Sequence, residues 1–189
     1  IAGDGTLYVA DADALGGPGA VIRVHPTTGE QTLVAFGGDF VHPVGVAIDA
    51  AGRLFVLDRH AFSSGPNDIG GGVIAVDPAT GAQTRITSGG NFSGRTGTSV
   101  VSVAPDKLAV SAFSLRSGSV VFSVNPDTKV QALIAQAGNL VLPTGLALEP
   151  GGNIVVADFM AFGTGGVLRI SPTTGNQTIV SPAIVEGMT

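Results

Sequence analysis

The chain has 189 residues, 9 Lys and Arg against 14 Asp and Glu, a formal charge of −5 and no cysteine, with a pI near 4.9. That length allows one ordinary core without disulfides, the acidic balance argues against a nucleic-acid footprint or a polybasic membrane patch, and no apolar run approaches the ~18 residues of a membrane span. Apolar residues make up 44% and charged residues 12%, so the chain folds rather than staying disordered. Its 29 Gly and 11 Pro imply many tight turns between short strands.

From the N-terminus, Ile1 falls within an inner strand, Leu7-Tyr-Val-Ala-Asp11 is a second strand, and Ala20-Val-Ile-Arg-Val-His25 is a third. Pro26 and Gly29 then supply the fixed φ and the positive-φ residue of a tight hairpin. The unit returns in full over 45–49 (inner strand A), 54–58 (B), 72–77 (C) and 83–87 (outer strand D), with Pro78 and Gly81 at the C–D turn. A third copy carries Leu108-Ala-Val-Ser-Ala112 and Val121-Phe-Ser-Val-Asn-Pro126, with Lys129 in place of the turn glycine, so that turn should differ slightly. A fourth carries Ile154-Val-Val-Ala-Asp158 and Val167-Leu-Arg-Ile-Ser-Pro172 with Gly175.

The four turn prolines, 26, 78, 126 and 172, are spaced by 52, 48 and 46 residues, the period of a repeat architecture. Helical spacing is absent, because the apolar runs are too short and too often cut by Gly or Pro. Four-stranded units in tandem at this length read as an all-β chain, a β-propeller of four four-stranded blades. The blades form either a closed four-bladed ring or a four-blade section of a larger propeller. The repeats run over about 1–47, 48–101, 102–147 and 148–189 of a single domain, with one strand A split between the two termini.

The sets Gly5-Thr-Leu-Tyr-Val-Ala-Asp11, Gly52-Arg-Leu-Phe-Val-Leu-Asp58 and Gly152-Asn-Ile-Val-Val-Ala-Asp158, each with its strand C, resemble the NHL-repeat, gluconolactonase and streptogramin-lyase type of propeller. The third repeat departs from the pattern, with Ala112 where the others have Asp. This resemblance covers all four repeats and implies the fold. It leaves function open, because such blades occur in lactonases, lyases and pure interaction modules.

Blade topology places short A–B and C–D hairpins on one face and long loops on the other, where function is expected. The long B–C loops run over 12–19, 59–72, 112–119 and 159–166, and the D–A loops over 36–44, 88–96, 136–144 and 181–188. Asp11, Asp58 and Asp158 stand at equivalent loop-side strand ends. Converging carboxylates could hold Ca²⁺ to polarise a lactone or carboxylate; alternatively, each accepts hydrogen bonds from the backbone of its own loop. Leu15, Phe62, Phe113 and Phe162 appear once per B–C loop, and Phe40, Phe92, Leu140 and Ile184 once per D–A loop. They could form a surface for a hydrophobic ligand or a protein, or fold inward to seal the gaps between blades at about 1.5–3 kcal/mol each.

His42, Arg59, His60, Arg95, Arg116 and Glu186 complete the ionisable inventory of that face. His42 or His60 with Glu186 or Asp58 could make a general base and its orienting partner, although each His is confined to one repeat, as a surface loop residue would be. Nucleophile-elbow, phosphate-loop and dinucleotide fingerprints are absent. The expectation is a non-enzymatic binding or scaffold module, bacterial and extracellular or at the cell surface, that meets a protein or small ligand with its long-loop face. It needs no cofactor, binds no nucleic acid and has no transmembrane segment, and its edge strands could support self-association. The alternatives are a metal-dependent lactonase or lyase, with Ca²⁺ on the three Asp, and a structural subunit of a repeat or filament protein.

Overall fold

Short apolar runs cut by Gly, Pro and Asx become strands in the computed structural model, which describes residues 1–62 and 70–182. Repeat 1 contains β1 (Leu7–Asp11), β2 (Ala20–Val24) and β3 (Gln31–Phe36). Repeat 2 contains β4 (Pro43–Ile48), β5 (Leu54–Asp58), β6 (Gly72–Val76) and β7 (Gln83–Ser88). Repeat 3 contains β8 (Thr96–Ala104), β9 (Lys107–Phe113), β10 (Val120–Val124) and β11 (Gln131–Gln136), and repeat 4 contains β12 (Pro143–Leu148), β13 (Ile154–Asp158), β14 (Gly166–Ile170) and β15 (Gln177–Pro182). Each repeat is one antiparallel meander in sequence order, so the predicted all-β blade architecture is what forms. The first sheet has three strands among the described residues, and Ile1 lies in none of them. The C-terminal partner expected for it, within 183–189, lies outside the described residues.

The same irregularities recur in every sheet. Each C–D pair carries a bulge, at Val21/Ile22, Val73/Ile74, Val121/Phe122 and Val167/Leu168. Each A–B pair shifts register near its loop end, at Pro43/Gly45, Gly97/Ser99 and Pro143/Gly145. Bulges strengthen the local twist, which lets neighbouring sheets nest. One expectation is corrected here: the C–D turn of repeat 3 matches the others. Lys129 takes φ +65°, and its N–H reaches the Asn125 carbonyl at 2.8 Å, as the Gly81 N–H reaches Asp77. The hairpin's hydrogen bond therefore overrides the cost of a left-handed non-glycine residue.

Both faces of the sheets become buried where a neighbour lies on each side. On β5, Leu54 and Val56 pack toward repeat 1 with Val21, Ala35 and Phe40, while Phe55 and Leu57 pack toward repeat 3 with Phe92, Leu108, Val110 and Phe122. The run Leu54-Phe-Val-Leu57 is continuously apolar because it serves two seams rather than one. A third seam joins Val121, Ala135 and Leu140 of repeat 3 to Ile154, Val156, Leu168 and Ile170 of repeat 4. On the outer side of repeat 1, Val9 is 44% exposed, whereas its counterpart Val56 is fully buried. On the outer side of repeat 4, Ala147 and Ala157 are exposed where Ala47 and Leu57 are buried.

Candidate binding face

The pairing registers put Asp58, Gly72, Ser88 and Pro43 side by side at one edge of a sheet, so the B–C and D–A loops share one end of every repeat. Asp58, fully buried at the end of β5, ties the two loops together. One carboxylate oxygen accepts the N–H groups of Val41 and His42 at 2.8 and 2.9 Å. The other accepts those of His60 and Ala61 at 2.9 and 2.7 Å. Asp158 likewise accepts four N–H groups, that of Val141 on one oxygen and those of Leu142, Met160 and Ala161 on the other, between 2.8 and 3.0 Å. Asp11 accepts the Asp13 N–H at 3.0 Å in an exposed setting. In repeat 3, with Ala112 at the position equivalent to Asp58, Ser114 Oγ caps the Arg116 and Ser117 N–H groups instead. Among the described residues, no three of His, Asp, Glu and Cys converge as a metal-ligand group.

The apolar loop residues divide into two sets. Phe40, Phe92 and Leu140 of the D–A loops are buried plugs of the seams, and the Phe92 ring meets Phe122 edge-on at 5.0 Å. In the B–C loops the alanines Ala14, Ala61 and Ala161 turn inward, and the next residues, Leu15, Phe62 and Phe162, take φ of +56°, +66° and +58°. That backbone lays Phe62 over Gly72 and Phe162 over Gly166, where an added Cβ would come within 2.8 and 2.7 Å of the rings. The Arg85 guanidinium lies over the Phe62 ring, 4.2 Å from its centroid, while Leu15 projects into solvent. Phe113 is half-buried.

Among the described residues, the ionisable groups of this face do not assemble into one centre. His42 and His60 meet edge-on at 5.7 Å between ring centroids. Arg59 donates to the Gly97 carbonyl at 3.3 Å, and Arg95 donates to Gly118 and Ser117 carbonyls at 3.1 and 2.9 Å. Arg116 lines an open cleft of about 650 Å³ with Gly94, Thr96, Phe113, Leu115 and Ser117. Ile184 and Glu186 lie outside the described residues.

Sequence reasoning missed, among the exposed apolar residues at this end, Leu115 (95% exposed), Phe159 (70%) and Met160. They occur in single repeats, so a search for features shared by every repeat passes over them. At the opposite end Arg53 clamps repeats 2 and 3. Its guanidinium meets Asp49 at 2.6 Å and Asp127 at 2.7 Å and donates to the Pro105 carbonyl at 2.7 Å.

No family model matches the sequence, and no curated protein sequence does. Solved structures do match. A chain of a nidogen/laminin complex aligns with TM-score 0.72 at 18% identity over 96% of this chain and 62% of its own length. TolB from Acinetobacter baumannii aligns with TM-score 0.68 at 11% identity over 96% of this chain and 42% of its own. A gluconolactonase from Xanthomonas campestris aligns with TM-score 0.67 at 14% identity over 96% of this chain and 61% of its own. The chain thus spans less than two thirds of these relatives, and no helix among its described residues is long and apolar enough to cross a membrane. At such identities the likeness concerns architecture, and by architecture these four repeats are β-propeller blades similar to those of gluconolactonase-type and nidogen/laminin-type propellers.

Proposed function

We propose that the chain is a non-enzymatic propeller module whose long-loop face binds a protein partner. The observation that carries this reading is the exposure of Leu115, which lines the Arg116 cleft in the B–C loop of repeat 3, and of Phe159 and Met160 in the B–C loop of repeat 4, at the same end of their sheets. Aromatic residues, Met and Arg are the types enriched at protein interfaces, and here Phe159, Met160 and Arg116 stand in the loops of one end with Leu115, which is 95% exposed. The carboxylates that a lactonase would turn to metal and substrate are engaged elsewhere. Asp58 and Asp158 each accept four backbone N–H groups, which supports a loop-holding role. A setting outside the cytoplasm belongs to the same proposal and draws on an extracellular domain of a one-component system from B. thetaiotaomicron among the similar structures.

The test is cross-linked capture from an extract of the source cells with the parent chain and a Leu115→Ser, Phe159→Ser, Met160→Ser variant. Loss of a specific captured protein with an unchanged melting temperature supports the reading. Calcium-dependent hydrolysis of aldonolactones by the purified chain, abolished by Asp58→Asn, would replace it with the enzyme reading.

A further inference from the structure

Each seam between repeats is fastened by one glutamine at the start of an outer strand. Gln83 accepts the Asp39 N–H at 2.8 Å and donates to the Gly37 carbonyl at 2.9 Å. Gln131 accepts the Asn91 N–H at 2.8 Å and donates to the Gly89 carbonyl at 3.2 Å and Thr87 Oγ1 at 2.9 Å. Gln177 accepts the Asn139 N–H at 2.9 Å and donates to the Ala137 carbonyl at 3.0 Å. In all three the amide of one repeat grips the D–A loop of the repeat before it.

Two loop residues make this clasp possible. Glycine stands seven residues after the previous repeat's own leading glutamine, at Gly38, Gly90 and Gly138. A Cβ there would approach the gripping amide to 3.0, 2.8 and 2.9 Å. Nine residues after that glutamine stands the seam plug, Phe40, Phe92 or Leu140.

Repeat 1 has the same glutamine, and among the described residues no loop occupies its clasp. Gln31 heads β3 at the equivalent position, is exposed, and lines an open groove of about 350 Å³ with Asp11, Ala14, Leu15, Ile22 and Leu33. In repeat 2 the corresponding face, with Leu54, Val56 and Ile74, is filled by Phe40, Ala35 and Val21 of the preceding repeat. The turn glycines agree: a Cβ at Gly81 or Gly175 would strike the Val34 or Ile134 carbonyl of the preceding repeat at 2.3 or 2.2 Å, whereas at Gly29 it would meet nothing within 4 Å.

We propose that the free face of repeat 1, centred on Gln31, is a docking site for one further propeller repeat. The occupant is a four-stranded repeat with glycine seven residues, and Phe or Leu nine residues, after its own leading glutamine. Repeat 4, in this chain or in a second copy, lacks that chemistry. Gln177 is followed at those two spacings by Ile184 and Glu186, a side chain where the clasp needs none and a carboxylate where the seam needs an apolar plug. The proposal does not rest on the reading of the long-loop face, because it uses none of Leu115, Phe159 and Met160: the groove joins Ile22, Gln31 and Leu33 of the sheet to Asp11, Ala14 and Leu15 at the start of the B–C loop.

The test extends the chain with a repeat that has the required loop. Residues 54–101 are copied directly before Ile1, which adds strands B, C and D, the Gly90/Phe92 loop and an inner strand for β1. The extended chain melts higher than the parent. Gln31→Ala lowers its midpoint by roughly 2–6 °C, as Gln131→Ala does in both chains, and changes the parent by less than about 1 °C. A second variant, Ile184→Gly with Glu186→Phe in the parent, gives repeat 4 the missing loop chemistry. Its mass by light scattering rises with concentration, and adding Gln31→Ala reverses the rise. If Gln31→Ala is silent in both settings while Gln131→Ala is not, the docking site does not exist. If the unmodified chain already associates through Gln31, the occupant is a second copy and the proposed partner is wrong.

Discussion

Four backbone N–H groups on one buried carboxylate make Asp58 the joint that sets the positions of two loops. Asp58→Ala strands these donors in a dry site, so about 3 kcal/mol or more of stability should be lost in urea unfolding. Asp11→Ala removes one exposed bond and should stay within about 0.5 kcal/mol. Asp49 makes a different residue-level argument, about acid. Burial alone would raise its pKa, but the side chain and N–H of Arg53 and the N–H of Ala51 outweigh it and hold the carboxyl below its ordinary value. A carboxyl more acidic when folded adds stability that is complete above the unfolded pKa near 3.9 and is lost as pH falls through the lower folded value. Asp49→Asn should therefore lower the urea midpoint at pH 7 and flatten the fall of that midpoint below about pH 4. An equally steep acid fall in the variant would remove Asp49 from the cause.

At the scale of the element, the B strands of repeats 1, 2 and 4 were legible to the residue, while that of repeat 3 extends one residue further at each end, to Lys107 and Phe113. Leu54–Asp58 and Ile154–Asp158 begin after a Gly-containing turn and end in an Asp that starts the next loop. The glutamine clasps were not legible, although Gln31, Gln83, Gln131 and Gln177 stand in every copy of the repeat. Their partners belong to another repeat, some 40 residues away, and a reading of one repeat at a time finds only a polar residue on an outer strand. The exposed trio escaped for the opposite reason, being absent from the pattern that revealed the fold. The C–D turns give a test internal to the chain. Gly81→Ala meets both a left-handed φ and a neighbouring carbonyl at 2.3 Å, so it should cost more than about 2 kcal/mol. Gly29→Ala has the same φ without the obstacle and should cost about 1 kcal/mol. Equal losses in chemical denaturation would mean that the seam adds nothing to the turn's requirement.

For the molecule as a whole, the unit of stability is the seam rather than the sheet. Each seam joins residues of two repeats into one apolar cluster, so among the described residues a repeat with neighbours on both sides is held twice, and a repeat at either end of the array is held once. The burial patterns follow that count. All five residues of β5 are buried and five of seven in β9, while none is buried in β1 and three of five in β13. Local opening draws on regions with the fewest buried contacts, which orders the repeats. In native-state hydrogen exchange, amides of β5, β6, β9 and β10 should exchange last. Those of β1 to β3 should exchange earliest, with β12 to β15 between them, because the outer face of repeat 1 exposes Val9 and Leu33. Extending the chain by a docked repeat should then move β1 to β3 into the slow class without changing β9 and β10. Uniform protection in the unextended chain would instead require a fourth seam between repeats 4 and 1, and with it a closed ring of four blades.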